Sequence, residues 1–325
     1  MAQSAVPLYG TSAWGLTVRV YHYSLHGLGL ESEIPLPELP PTSGEHAVDV
    51  VIKFGPVPAS IPHIGKTTEG WLISEHLALI EVDHVARYLV EGGSTISVDA
   101  VEGADFGLVR FYLLGAALVS LLFQRKEVPF HAAAVIKHDS AIAFFGFSMA
   151  GKSTLCGLLA QRGWRVLTDD RLLIKKDTGK FLAFPSVPVL NLTAASADFI
   201  GMGEEKLLRS TANFNKRIYT GLEKYSSGPA RLSTLVFLEW DGEETRLDPM
   251  DPFEALTCLR EQVNYESHLR LLEREDDFFK KAASLALTVP AFRLRRPKSF
   301  DALPRTVDAL ATIHRASAIL PDITE

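Results

Sequence analysis

The chain has 325 residues, of which 47% are apolar and 22% charged, with a formal net charge of −6. This composition is typical of a soluble globular protein with a sizeable core. The acidic balance argues against general nucleic-acid binding, which needs a basic surplus. Cys156 and Cys258 have neither zinc-site nor disulfide-framework spacing, and the opening MAQSAVPLYG lacks a secretory signal. We therefore expect a cytoplasmic protein without nucleic-acid partners.

The first third of the chain has a sequence pattern typical of β-strands. Short β-branched or aromatic runs alternate with turn clusters up to about residue 105, as in LTVRVYHYSL, AVDVVIKFG, GWLISEHLALIEV and VARYLVEGGSTISVDAV. The proline-rich segment IPLPELPPTSGEH predicts a surface loop between two of these strands. A β-rich N-terminal region is therefore expected.

An apolar segment, FYLLGAALVSLLF at residues 111–123, closes this region. As a helix its thirteen residues are too short to cross about 30 Å of hydrocarbon. We expect a core helix rather than a membrane span, and no membrane partner. The predicted organisation is a β-rich region over residues 1–125 and a second domain over residues 126–325.

The second domain begins with the order strand, turn, strand, glycine-containing loop, helix, strand. These elements are HAAAVIKH, AIAFFGF, SMAGKS, TLCGLLAQRG and WRVLTDD, and they predict an α/β nucleotide-binding unit. Further strands are expected in FLAFPSVPVLNL, RLSTLVFLEW and AFRLRR, and helices in DPFEALTCLREQV, DDFFKKAASLALT and DALPRTVDALATIHRAS. The fold class is therefore α/β.

The loop between the second strand and the helix fits the pattern G-x-x-x-x-G-K-[ST], with a strand before it and a helix after it. Glycines let the backbone N–H groups curl inward, and the helix N-terminus adds a positive dipole end toward phosphates. Lys152 is expected to reach the β- and γ-phosphates of ATP, and Ser153, less directly Thr154, to join the coordination of Mg²⁺. The alternative is an ordinary glycine turn before a helix. The predicted nucleotide-binding residues are Gly146, Ser148, Ala150, Gly151, Lys152, Ser153 and Thr154.

Two adjacent carboxylates, Asp169 and Asp170, follow the strand after that helix. A strand-end acid beside a phosphate loop supplies a further magnesium contact. Two neighbouring carboxylates can divide the work, one holding the metal and the other accepting a proton from a hydroxyl. The alternative is a solvated turn or a helix cap.

Three stretches together, FHAAAV, GFSMAGKST and RGWRVLTDD, resemble the catalytic core of the HPr kinase/phosphorylase family, and more closely its shorter HPr-kinase-like relatives. The close match covers residues 129–175. Some of those relatives phosphorylate a precursor peptide. The resemblance implies a phosphate-loop kinase core, similar also to phosphoenolpyruvate carboxykinase, that transfers the γ-phosphoryl group of ATP to a serine of a protein or peptide.

The resemblance also implies individual roles. His131 would lie beside the γ-phosphate, Asp169 would be the base and Asp170 the metal partner, with the last two roles exchangeable. From the residue alone, an imidazole at a strand start could simply hydrogen-bond the loop. The chain departs from the HPr enzymes at Phe147, Met149 and Ala150, where they have an acid after the first glycine and a central glycine, and it lacks their glycine-rich signature stretch.

Two basic segments have open interpretations. Residues 206–232 could form a loop that folds over the acceptor, with Lys216 or Arg217 neutralising the phosphoryl group, or a solvated connection. The cluster RLRRPK, residues 293–298, is either a basic rim for an acidic peptide or an exposed strand edge, and we expect the edge.

The leading function is therefore an ATP- and Mg²⁺-dependent serine kinase. A small-molecule kinase with the same core and a nucleotide-binding scaffold for a partner protein are the alternatives. A protein acceptor predicts an open face and a metabolite a closed pocket. Homo-oligomerisation stays open, because the HPr enzymes are hexameric but their N-terminal domain is not visibly this one.

Overall fold

The computed structural model describes residues 8–11, 17–62, 65–67, 69–204, 207–211, 216–220, 224–241 and 243–319. The chain forms two compact units, each built from two separate stretches of the sequence. The first comprises residues 1–128 and 265–276, and the second residues 129–264 and 277–325. Helices and several β-sheets occur together, so the protein belongs to the mixed α/β class.

The first unit contains a mixed sheet that includes the β-runs expected from the sequence. Its described strands have the order β1-β2-β3-β4-β9-β8-β7-β6-β5. Neighbours are antiparallel except β3 with β4 and β4 with β9. Residues 34–46, the predicted loop, connect β3 to β4. The strand bounds are β1 Leu8–Thr11, β2 Thr17–Leu25, β3 Leu28–Ser32, β4 Val50–Phe54, β5 Gly65–Lys66, β6 Leu72–Ile73, β7 Leu77–Val82, β8 Ala86–Glu91 and β9 Thr95–Ala100.

The apolar segment of the first unit is a longer helix than the sequence predicts. It consists of α1 (Phe106–Tyr112), a π-helical turn (Leu113–Ala117) and α2 (Leu118–Gln124). In the described part of the chain it is the one helix whose length and composition would allow a membrane crossing, and 67% of its apolar window is buried inside the protein. A core helix passes the same test of length and composition.

The second unit holds the elements predicted for the α/β domain. Its strands are β10 Phe130–Lys137, β11 Ser140–Phe145, β12 Arg165–Thr168, β13 Arg171–Asp177, β14 Lys180–Phe184, β15 Leu190–Leu192, β16 Leu207–Thr211, β17 Lys216–Tyr219, β18 Ala230–Trp240, β19 Arg246–Met250 and β20 Ala291–Arg296. The remaining α-helices are α3 Lys152–Gln161, α4 Ala194–Phe199, α5 Pro252–Arg260, α6 Glu266–Leu271 in the first unit, α7 Glu275–Thr288 and α8 Leu303–Ile319, and a 3-10 helix, Phe300–Ala302, precedes α8.

The strand directions in the second unit place the predicted site residues at one edge of its sheet. β11 runs parallel to β18, and β18 runs parallel to β20. β10 is antiparallel to both β11 and β12, so β12 runs in the direction of β11. The carboxyl ends of β11, β12, β18 and β20 and the start of β10 therefore meet at one edge of the sheet, where ligands bind in α/β proteins.

Two expectations for the second unit are wrong in part. β20 is not an exposed edge, because it pairs with β18 on one side and β19 on the other. Its arginines are also not a free basic rim, since Arg293 and Arg295 form ion pairs with acids such as Glu239 and Asp248. The segment 206–232 is not one long loop, because β16 and β17 form a three-stranded sheet with β15. Residues 206, 212–215 and 221–223 of that segment lie outside the described residues.

Candidate active site

The glycine-containing loop connects the carboxyl end of β11 to the start of α3, as the sequence predicts. Gly146 has φ 146° and Gly151 has φ 87°, both in the region that favours glycine. A Cβ at Gly146 would stand 3.0 Å from the Ala150 side chain, and one at Gly151 would stand 2.4 Å from Nη2 of Arg296. Space as well as backbone conformation therefore restricts both positions to glycine.

Lys152 is the first residue of α3, and its ammonium group is buried under the loop. Its Nζ donates to the Gly146 carbonyl at 2.5 Å and lies 3.1 Å from Nε2 of His131. His131 Nδ1 is 3.0 Å from Oδ1 of Asp170. Because an ammonium group can only donate, Nε2 of His131 accepts, and Nδ1 carries the proton that bonds Asp170. Lysine, histidine and aspartate thus form one connected chain.

Asp169 and Asp170 lie in different environments. Asp169 is only 4% exposed, whereas the Asp170 side chain is 35% exposed. Oδ2 of Asp169 accepts hydrogen bonds from the backbone N–H of Asn191, at 2.6 Å, and from its side-chain amide, at 3.2 Å. Oδ1 of Asp169 is buried and has no hydrogen-bond partner among the described residues.

Burial raises the pKa of Asp169 to about 7, opposed by the Asn191 backbone N–H and the nearby Ser153 hydroxyl. Burial removes water from the carboxylate and so disfavours its charged form, which raises the pKa. Ser153 thus lies beside Asp169, whose Oδ1 has no hydrogen-bond partner in the described part of the chain. A cation between them would satisfy that oxygen and favour the ionised form.

The other predicted loop residues have different surroundings. Ser148 is exposed near the loop tip, and Ala150 is buried with its N–H donating to the Phe147 carbonyl. Thr154 is buried, and its hydroxyl donates to the Ser196 hydroxyl of α4 at 3.0 Å. The Thr154 hydroxyl is thus engaged with a neighbouring helix, while the Ser153 hydroxyl lies near Asp169.

Several residues that hold this site carry no sequence signal of their own. Gln262 accepts a hydrogen bond from the N–H of Gly146 at 3.1 Å, and its carbonyl accepts one from the N–H of His131 at 2.8 Å. Asn191 anchors Asp169, as described above. Trp240 and Arg296 contact loop carbonyls. For Trp240 and Arg296 the sequence gives one indication, because each is the last residue of a predicted strand. The carboxyl ends of such strands lie at the edge of the sheet where the loop must also lie.

No protein-family model matches this chain, and a search of curated proteins finds no match. Among solved structures, the chain is similar to the HPr(Ser) kinase/phosphatase from Coxiella burnetii, with 15% sequence identity and a TM-score of 0.32. That similarity covers 58% of this chain and 97% of the other. A TM-score this low does not establish a shared fold, so any function must be inferred from the residues of the site.

Proposed function

We propose that this chain is an ATP- and Mg²⁺-dependent phosphotransferase of the HPr-kinase-like type, which phosphorylates a serine hydroxyl of a protein or peptide in the cytoplasm. The observation that carries the proposal is the convergence at one sheet edge of the loop, Lys152, His131 and the two aspartates. A buried lysine, a strand-end acid pair and a glycine loop that opens a helix are the parts that phosphoryl transfer from ATP requires.

The residues at this edge fit a magnesium ion. Mg²⁺ in phosphate sites uses one or two carboxylates together with phosphate oxygens and water. Asp169 offers a buried oxygen that no described residue hydrogen-bonds, and Ser153 lies beside Asp169. These two residues would hold the metal, which when bound offsets the negative charge of the phosphates.

The geometry supports exchanging the two aspartate roles given first above. Asp169 is buried and fixed by Asn191, which suits a metal partner. Asp170 is more accessible and is oriented by the proton on His131, which suits a base. In the proposed step, the serine hydroxyl gives its proton to Asp170 and its oxygen bonds to the γ-phosphorus. The bond from that phosphorus to the β–γ bridging oxygen breaks, and ADP leaves.

The accessibility of the loop favours a macromolecular acceptor over a metabolite. Phe147 is 68% exposed and Met149 is 56% exposed, and both lie on the loop beside the reacting groups. A metabolite kinase would be expected to enclose its substrate in a pocket. The open apolar tip instead suits an extended peptide that presents its serine to Asp170.

The test is a transfer assay with γ-labelled ATP, Mg²⁺ and a library of serine peptides and small alcohols. We expect label on a peptide, and loss of transfer by at least about a hundredfold in Lys152→Ala, because a charge that stabilises the transferring group is removed. Asp169→Asn should raise the Mg²⁺ concentration needed for half-maximal rate. Asp170→Asn should lower kcat while leaving that concentration unchanged.

Each arm has an outcome that contradicts the proposal. Undiminished transfer by Lys152→Ala would refute the loop assignment. The opposite pattern in the two aspartate variants would restore the original roles of Asp169 as base and Asp170 as metal partner. Label on small alcohols alone would identify a metabolite kinase, and ATP binding without transfer or hydrolysis would indicate a scaffold.

A further inference from the structure

The phosphate loop is held from outside by two residues at the ends of neighbouring strands. Arg296, the last residue of β20, donates from Nη2 to the Ala150 carbonyl at 2.8 Å. Trp240, the last residue of β18, donates from Nε1 to the Met149 carbonyl at 3.1 Å. The guanidinium carbon of Arg296 lies 4.1 Å from the centre of the Trp240 ring. The two side chains therefore support each other as well as the loop.

These contacts bear on the direction of the loop peptides. The C=O and N–H of a trans peptide point in opposite directions. When Arg296 holds the Ala150 carbonyl on one side, the N–H of Gly151 faces the other side. An N–H directed in this way is the group that a phosphate loop offers to its ligand.

Arg296 is an unusual residue for such a position. It is 1% exposed, its Nε is buried without a hydrogen-bond partner, and in the part of the chain that the structure describes it has no ion pair. Burial lowers the pKa of its guanidinium to about 10, so the group remains charged near neutral pH. A buried charge without a counterion is costly. An anion bound by the loop would offset that cost.

We infer that Arg296, together with Trp240, is a positioning residue for the phosphate loop, holding its peptides in the phosphate-binding orientation and adding a buried positive charge behind it. This inference rests on the proposed nucleotide binding. Neither residue is expected to touch the reacting atoms.

The experiment measures the affinity for MgATP by calorimetry in the full chain. Arg296→Met should bind about ten- to a hundredfold more weakly, because a charged hydrogen bond and a charge are lost. Arg296→Lys should recover part of that loss because it restores the charge. Trp240→Phe keeps an aromatic face and loses the N–H donor, so a loss of about three- to tenfold is expected.

Arg295→Met is the matched control. It removes a guanidinium from the same strand, and because successive strand residues face opposite sides, Arg295 pairs with Asp248 at 2.8 Å instead. Its MgATP affinity should stay within about twofold of the unaltered protein, since the loop contacts persist. Melting temperatures without nucleotide show that each variant is folded, and a merely structural role would lower them without the partial recovery by lysine.

Unchanged MgATP affinity in Arg296→Met would overturn the inference. So would an equal loss in Arg295→Met. If Arg296→Met does not fold, Trp240→Phe decides, and full affinity there overturns the inference. Absence of MgATP binding by the unaltered protein would overturn the proposed function, and this inference with it.

Discussion

At the scale of single residues, Gly151 is restricted by contact as well as by backbone conformation. Gly151 and Gly163 both have φ 87°, but a Cβ at Gly163 would meet nothing within 4 Å, whereas one at Gly151 would meet Arg296. The two glycines bracket α3. Alanine substitutions at the two positions therefore distinguish the free-energy cost of a left-handed backbone from the cost of displacing Arg296.

We predict that Gly163→Ala loses about 1 kcal/mol of unfolding free energy, because alanine is strained at this φ, and that Gly151→Ala loses more, because its methyl group also displaces Arg296. Only Gly151→Ala should also lose MgATP affinity, by about tenfold or more, because the new methyl displaces the guanidinium that holds the loop. Urea unfolding and calorimetry measure the two quantities. An equal loss of MgATP affinity in both variants would contradict the role of the contact.

The residues of the candidate site were predicted from the sequence, but the residues that support them were not. The loop, Lys152 and the aspartate pair follow a local pattern of residue types. Arg296 lies 146 positions from its partner Ala150, and Trp240 lies 91 positions from Met149. Contacts at such separations depend on strand order, which a local pattern does not contain.

At the scale of elements, a buried histidine joins α6 to α2. His268 is fully buried, with Nε2 3.0 Å from the Ser120 hydroxyl and aromatic rings from Trp71, Phe123 and Tyr265 around it. Desolvation lowers its pKa to about 4 from 6.5, and the nearby Glu69 opposes this slightly. The folded first unit therefore holds this histidine in the neutral form.

We predict that the first unit loses stability as the pH falls from 6.5 toward 4. In that range the unfolded chain binds a proton on this histidine and the folded chain does not. The free energy of unfolding therefore decreases as the pH is lowered, and it is fully regained above pH 6.5. At about 1.4 kcal/mol per pKa unit, the loss approaches about 3 kcal/mol. Urea unfolding at several pH values measures it.

The control compares two histidine variants. His268→Phe should remove this part of the pH dependence, and substitution of the exposed His76 by glutamine should leave it intact. A pH slope that survives in His268→Phe would assign the effect to other groups.

Elements with a regular pattern were predictable, and irregular ones were not. β10, β11, α3 and β12 were expected close to their observed bounds, because apolar runs punctuated by glycine specify them. The β16 and β17 strands were missed because their polar, basic sequence lacks the alternation that indicates a strand. Tertiary pairing with β15 outweighs that weak local preference.

At the scale of the whole molecule, the first unit is built from two separate stretches of chain. Residues 265–276 belong to it although they follow most of the second unit in sequence. Within the first unit they bring the Tyr265 ring to 5.6 Å from the ring of Trp71. The composition of residues 265–276 does not indicate that they belong to the first unit, since a short amphipathic helix fits either unit.

We predict that residues 1–128 alone do not form a stable unit, because Trp71 and Phe123 lose the apolar cover that residues 265–276 provide. Joining residues 265–276 to that fragment through a flexible linker should restore a cooperative unfolding transition. Urea unfolding and the dispersion of amide NMR signals compare the two. The same unfolding midpoint in both fragments would show that the second stretch is dispensable.

The hydrogen bond from Arg296 to Ala150 also determines when, during synthesis of the chain, the proposed nucleotide-binding loop gains its support. The loop is translated well before β20. A growing polypeptide on the ribosome therefore carries a complete glycine motif long before the guanidinium that braces it exists. The proposed affinity for ATP should therefore reach its full value only after β20 has been made, and a nascent chain without β20 should bind the nucleotide more weakly.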